Sequence, residues 1–191
     1  MKNTILIQEI GNVNQNILLR LKKNLEWSFK GIIKKVKKSK KAMPLFDSFY
    51  NGTRKQYDAS LLLSLMKYVF SQADYTCVLG VLEEDIYSRT MNFIFGIAER
   101  ACYHYAGFSI ISICRLRESF YGRKVNPSLL ELRVLKEVIH EIGHVFGLGH
   151  CQNKCVMVFS EKLVDTDNKP PNYCHDCTAS LQNHIDRFLI L

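Results

Sequence analysis

The stretch HEIGHVFGLGH at His140–His150 constrains this chain more than any other feature of its sequence. At 100° per residue, His140 and His144 fall about 40° apart on one helical face and one turn along it, so two imidazoles can converge on a single ion. Glu141 stands beside the first of them, where a carboxylate can reach a metal-activated water without itself ligating, the placement of a general base. His150 cannot join from the same straight helix, because six residues on it would rise roughly 9 Å along the axis. The helix must therefore end, and Gly147 is the residue that can end it in a left-handed turn and swing His150 back to the metal. Three neutral histidines leave a fourth position open for water, the pattern of a hydrolytic zinc rather than a structural one.

The helix that carries this motif is well signalled. Asn126 is a good N-cap, Pro127 suits the first helical position, and Leu135, Val138, Ile139, Ile142 and Phe146 repeat at helical spacing up to Gly147.

Seven cysteines are present. Cys151, Cys155, Cys174 and Cys177 crowd the C-terminal region in two close pairs, as the four thiolates of a closed tetrahedral structural zinc do. Because Cys151 adjoins His150, that second metal would also anchor the third histidine. The alternative for Cys174 and Cys177 is a CxxC redox pair, with His175 between them expected to be exposed. Cys77, Cys102 and Cys114 sit singly in apolar surroundings and are expected to be buried small hydrophobes. Met157, seven residues past His150, is close enough in sequence to form an apolar floor under the metal.

Upstream, Thr4 to Ile10 reads as a strand and Gly11 to Phe29 as an amphipathic helix. A strand is expected over Phe29 to Val36, a loop over Pro44 to Gly52, and a second helix over Asp58 to Phe70. Further β-like runs follow at Thr76 to Leu82, Asn92 to Ala98 and Phe108 to Leu116, and a terminal helix at Thr178 to Leu191. The length suits one domain, residues 1–191. Within it, 1–125 is a mixed sheet with two helices, 126–147 the active-site helix and 148–191 a zinc-tied C-terminal segment.

No segment has the apolar length to cross a bilayer, and MKNTILIQEIGN lacks the features of a secretory signal, which predicts a cytoplasmic protein without membrane partners. The net charge of +8 is uneven, since residues 1–60 hold 13 Lys or Arg against 4 Asp or Glu. Much of it lies in Lys34, Lys35, Lys37, Lys38, Lys40 and Lys41, read as a solvated strand end. Without interleaved aromatics to stack bases, this run argues against nucleic-acid binding.

Taken together, His140, Glu141, His144, Gly147, His150, Cys151, Cys155, Met157, Cys174 and Cys177 closely resemble the archaemetzincin family, a branch of the metzincin zinc peptidases. Arg54, Gln56 and Tyr57, the VLGV at Val78 to Val81, the NFIFGIA at Asn92 to Ala98 and the stretch from Ser109 to Arg117 also look like family segments. The resemblance implies an α+β metzincin-like zincin fold: a mixed twisted sheet packed on helices, the active-site helix below the cleft, and Met157 in the Met-turn. It implies two zinc ions, one catalytic and one structural, and a peptide or protein substrate. Two loops depart from the family pattern, Cys151–Cys155 and Met157–Cys174, each one residue shorter than the family spacing. Phe159 stands where some other metzincins carry a tyrosine, which predicts no fifth protein ligand. The function expected is peptide-bond hydrolysis. Its alternatives are a catalytically weak zinc-stabilised binding protein and a basic nucleic-acid-binding module. Asp85, Arg115 and Arg117 are expected to form structural ion pairs rather than to bind substrate termini.

Overall fold

The computed structural model describes residues 3–101 and 106–189, with side chains to residue 185. In chain order it comprises β1 (Thr4–Glu9), α1 (Gln15–Ser28), β2 (Lys35–Lys38), β3 (Tyr50–Asn51), β4 (Gln56–Asp58), α2 (Ala59–Val69), β5 (Cys77–Leu82) and β6 (Ile86–Tyr87). There follow β7 (Gly96–Glu99), β8 (Gly107–Ser112), α3 (Pro127–Val145), α4 (Leu163–Asn168) and α5 (His175–Leu189). Among the described residues the main sheet runs in the order β2-β1-β5-β8-β7. Its first four strands are parallel, and β7 closes the edge antiparallel to β8.

Strands β1, β5 and β8 are buried at every residue, so their sequences are mostly apolar on both faces rather than alternating, as expected for a sheet covered on both sides, with Thr4, Gln8, Glu9, Ser109 and Ser112 as buried polar exceptions. Successive residues still divide between the faces. Ile5, Ile7, Leu79, Val81 and Ile111 join the core under α1 and α3, whereas Leu6, Val78, Leu82, Phe108 and Ile110 join the core under α2. Each helix contributes one stripe: Leu18, Leu21 and Leu25 from α1, Leu62, Leu63 and Met66 from α2, Val134, Val138, Ile142 and Val145 from α3. Each such buried side chain is worth about 1.5–3 kcal/mol of transfer free energy.

The expected strand at Phe29 to Val36 is corrected to Lys35–Lys38. Phe29 instead caps α1 through its N–H to Leu25 O, and the chain reverses at Gly31, whose φ is +83°. Phe29, Ile32 and Ile33 are apolar because they pack under that turn, not because they alternate across a sheet. The Asn92 to Ala98 run pairs only from Gly96 onward. Strand β8 ends at Ser112, and Cys114–Leu116 forms a single 3-10 turn. The Pro44 to Gly52 loop contains a 3-10 turn and β3, which with β4 and β6 makes a small second sheet. Helix α4 was not signalled, and α5 starts three residues earlier than expected.

The lysine run lies on and beside β2, an edge of the sheet, where Lys35, Lys37 and Lys38 line a strand that would otherwise offer unpaired backbone to another chain. Lys38 Nζ also donates to Gln15 Oε1 at 3.0 Å, and Lys37 Nζ lies 5.9 Å from the centre of the Tyr75 ring. Arg115 clasps Asp85 with two hydrogen bonds of 2.8 and 2.7 Å, and Arg117 pairs with Glu83. Cys77 is fully buried and Cys114 half-buried, while Cys102 lies outside the described residues. Among the described residues no helix is long and apolar enough to cross a membrane.

Candidate metal centre and cleft

Helix α3 packs against β7 and β8 and carries His140, Glu141 and His144 toward the sheet edge. Asn126 caps it through Leu129 N–H at 3.1 Å, with Pro127 in its first turn. It stops at Phe146, and Gly147 follows with φ +87°. A Cβ at Gly147 would first meet the Arg100 guanidinium, the far end of an exposed side chain that can move aside, so it is the left-handed backbone conformation that restricts this position to glycine. The turn brings the ring of His150 to 4.9 Å from that of His144 and 5.4 Å from that of His140.

One ligand atom from each of the three histidines lies within 4.8 Å of the others. His140 Nδ1–H donates to Val156 O at 2.9 Å and His144 Nδ1–H donates to Leu148 O at 2.8 Å. Those bonds fix the tautomers and leave both Nε2 atoms as lone-pair donors, yet they face each other at 3.0 Å. Two lone pairs so close repel unless a cation lies between them. The separation is near the roughly 3.3 Å between two nitrogens on one tetrahedral zinc. Burial, helped by the positive charge of Lys169, holds His140 down to about 2, and burial also lowers His144 and His150. The rings are therefore neutral at physiological pH, the form a metal requires.

Glu141 is buried, and desolvation with the nearby Glu137 charge pushes its carboxyl up to about 8 in the metal-free site. It lies against Gly96 at the start of β7, where a Cβ would come 2.6 Å from Glu141 Oε1. Gly143 has the corresponding role on the other side of the helix: a Cβ there would lie 2.4 Å from Met157 Sδ. Met157 is fully buried against this side of the helix. Both glycines escaped the sequence reading, since a close approach leaves no local signal beyond the glycine itself. Phe159 packs its ring 4.9 Å from His150.

The four cysteines 151, 155, 174 and 177 also converge, with their Sγ atoms within 4.8 Å of one another and Cys151 to Cys174 at 3.8 Å. Cys174 N–H donates to Cys155 Sγ at 3.2 Å, and the Cys177 N–H is the main cause drawing the Cys174 thiol down to about 6. Thiols arranged this way fit a tetrahedral thiophilic ion. His175 is 98% exposed and turned away from them. The two clusters share a loop, because Cys151 N–H donates to Met157 O and Val156, between Cys155 and Met157, supplies the carbonyl that orients His140.

The histidines open on a cleft of about 190 Å³. One wall is the segment from Met91 to Ala98 that leads into β7; the other is Phe159, Ser160 and Glu161. Behind the second wall, α4 is tied to α3 by charges that the sequence reading did not single out. Arg133 bonds Asp167 through two nitrogens at 2.6 and 2.7 Å, and Lys136 Nζ donates to Thr166 O and Asp167 O. Glu137 Oε1 accepts from Thr166 Oγ1 at 2.8 Å and lies 2.9 Å from Lys169 Nζ. The signal available was three charged residues at helical spacing immediately before the histidine motif, which reads equally as a solvated face.

Comparison with known proteins decides the family. The profile of Peptidase family M54 matches residues 3–183. An archaemetzincin from Methanocaldococcus jannaschii is 42% identical over 180 residues, covering 94% of this chain and 93% of its own. The chain belongs to the archaemetzincin family. Among solved structures, an archaemetzincin from Methanopyrus kandleri superposes with a TM-score of 0.78 at 32% identity over 96% of both chains. A zinc-dependent peptidase from Methanocorpusculum labreanum superposes with a TM-score of 0.77 at 29% identity, over 93% of this chain and 99% of that one. The mixed sheet packed on helices is thus the archaemetzincin fold, and the clusters of histidines and cysteines are its candidate metal sites.

Proposed function

We propose that the chain is a zinc-dependent peptidase in which His140, His144 and His150 hold a catalytic zinc, Glu141 is the general base, and Cys151, Cys155, Cys174 and Cys177 hold a second, structural zinc. The observation that carries the reading is the pair of histidines fixed by backbone carbonyls with their free nitrogens 3.0 Å apart, beside a buried carboxylate in an open cleft. Zinc in a three-histidine setting lowers the pKa of a coordinated water and polarises a carbonyl.

The remaining work falls to protein groups. Glu141 takes the proton of the attacking water and returns it to the departing amine, a shuttle between two positions within reach of one side chain. It must be ionised to begin, and a dication nearby lowers the carboxyl from its metal-free value of about 8. Met157 and Gly143 fix the helix from below, so that the histidine positions do not shift as charge develops. An extended peptide can lie along β7, whose outer edge pairs with no strand among the described residues, and add to the sheet by main-chain hydrogen bonds.

The test is Glu141→Gln, assayed on a fluorogenic peptide library with zinc content measured in parallel. The reading expects turnover to vanish while zinc is retained. Equal turnover in wild type and variant would remove Glu141 from the chemistry, and no turnover in a fully zinc-loaded wild type would favour a binding protein.

A further inference from the structure

A peptide lying along β7 must also pass the stretch that leads into that strand. Strand β7 pairs with β8 from Gly96 onward, and Ser112 N–H donates to Phe95 O at 2.8 Å, so Phe95 and Gly96 take their places from the main sheet. Asn92 and Phe93 lie in neither sheet, yet Phe93 lines the cleft. Backbone groups that no strand engages need other partners, and here the partners are side chains. Gln56 Nε2 donates to Asn92 O at 3.0 Å and, from the same amide, to Asp85 Oδ2 at 3.0 Å. Arg54 Nη1 adds a longer bond of 3.4 Å to Asn92 O.

Asp85 is the hub of this arrangement. Arg115 engages both of its oxygens, Nε on Oδ1 at 2.8 Å and Nη2 on Oδ2 at 2.7 Å, and Ile86 N–H donates to Oδ1 at 3.1 Å. With Gln56 on Oδ2, each carboxylate oxygen accepts two bonds, its full capacity. The Arg115 guanidinium also stands 4.2 Å from the centre of the Phe93 ring and 4.8 Å from that of Phe120. One planar group therefore binds Asp85 through its edge and supports Phe93 on its face. The small sheet sets the spacing of the two partners, because β4 carries Gln56, pairs in parallel with β6 just after Asp85, and sends Tyr57 N–H to Asp85 O at 2.9 Å. Further along the same segment, Gly96 abuts Glu141.

We propose that Gln56 and Arg115 are positioning residues for the peptide: acting through Asp85, they hold Asn92 and Phe93 in place where a substrate extended beside β7 passes them. The proposal rests on the peptidase reading and adds the residues that shape its cleft. It requires the planar fork and not the charge alone. Lysine in place of Arg115 keeps a cation beside Asp85 but can neither engage both oxygens in one plane nor lie flat on Phe93.

The test separates the metal from the wall. Zinc-loaded wild type, Gln56→Met, Arg115→Lys and the double variant are titrated calorimetrically with two probes. Acetohydroxamate reaches only the metal, whereas a peptidyl hydroxamate is long enough to run beside β7. Each single variant should bind the peptidyl probe about tenfold more weakly and acetohydroxamate within about twofold of wild type. In the double variant the loss should be smaller than the product of the two, since both act on one segment. Turnover should show the same division, with KM raised and kcat little changed. In the metal-free proteins, hydrogen exchange should quicken at Ile94 N–H, which bonds Ile86 O, and not in β1 or β5. Unchanged peptidyl affinity in Gln56→Met would overturn the proposal and leave the metal site standing. Full affinity in Arg115→Lys would do the same, since Arg115 would then be only a counter-charge. Equal weakening of both probes would also overturn it, by showing that the variants disturb the histidines instead. Failure of acetohydroxamate to bind zinc-loaded wild type would overturn the peptidase reading and the proposal with it.

Discussion

Replacing Lys169 by methionine tests how the wall of the cleft is built. The Lys169 and Glu137 side chains are 1% and 3% exposed, and their charged ends lie 2.9 Å apart. Removing one member of a buried ion pair leaves the other charged and poorly solvated, which costs about 3–5 kcal/mol. Against the roughly 5–15 kcal/mol that holds a domain folded, that is a large fraction. Lys169→Met alone should therefore unfold at a clearly lower urea concentration. Glu137→Met with Lys169→Met removes both charges and fills similar volume, so it should regain most of the loss. It should stay about 1–2 kcal/mol below wild type, because the fully buried Thr166 hydroxyl loses its acceptor. The assay is equilibrium urea unfolding of wild type, both single variants and the double variant at one fixed free zinc concentration, since bound metal adds to apparent stability. Losses that simply add in the double variant would refute the reasoning and show that the two groups do not act as a pair.

Other consequences follow from single positions. Gly96→Ala places a methyl 2.6 Å from Glu141 Oε1 and should cut peptidase turnover at least tenfold with little change in urea midpoint; a variant as active as wild type would refute the close approach. Cys77 is fully buried and its thiol is pushed up to about 12, so the folded state keeps a proton that the unfolded chain loses above about pH 9. Stability should fall as the pH rises from 9 toward 12, and Cys77→Ala should flatten that slope in pH-dependent unfolding. Val156 O orients His140 from between two residues of the cysteine loop, so Cys155→Ser should weaken zinc binding by the histidines as well as by the thiols, as read by competition with a chromogenic chelator.

What was legible in the sequence was what periodicity and ligand chemistry encode. Helix α3, its cap at Asn126 and its stop at Gly147 follow from local rules, as do the face shared by His140 and His144 and the grouping of the four cysteines. Strands β1, β5 and β8 were found because strands buried on both faces are rich in β-branched and other apolar residues. The turn at Phe29 to Ile33 was misread because apolar residues packed under a turn look like a strand in one dimension. Helix α4 is only six residues long, with Lys162 rather than a short polar residue at its N-cap position and two buried positions, Leu163 and Thr166, so it carried no periodic signal. The partners of Arg133, Lys136 and Glu137 lie about 30 residues onward, where only the tertiary fold brings them together. Gly96 and Gly143 were unremarkable in the sequence because the atoms that crowd them come from distant segments.

The most direct test of the account is the metal content of the purified protein by plasma mass spectrometry, comparing wild type with His150→Ala and Cys174→Ser. The account predicts about two zinc ions per chain in wild type, about one in His150→Ala, and a disturbed second site in Cys174→Ser. A single zinc that survives His150→Ala unchanged would contradict it, since the three histidines would then hold no metal and the cleft beside them no hydrolytic centre.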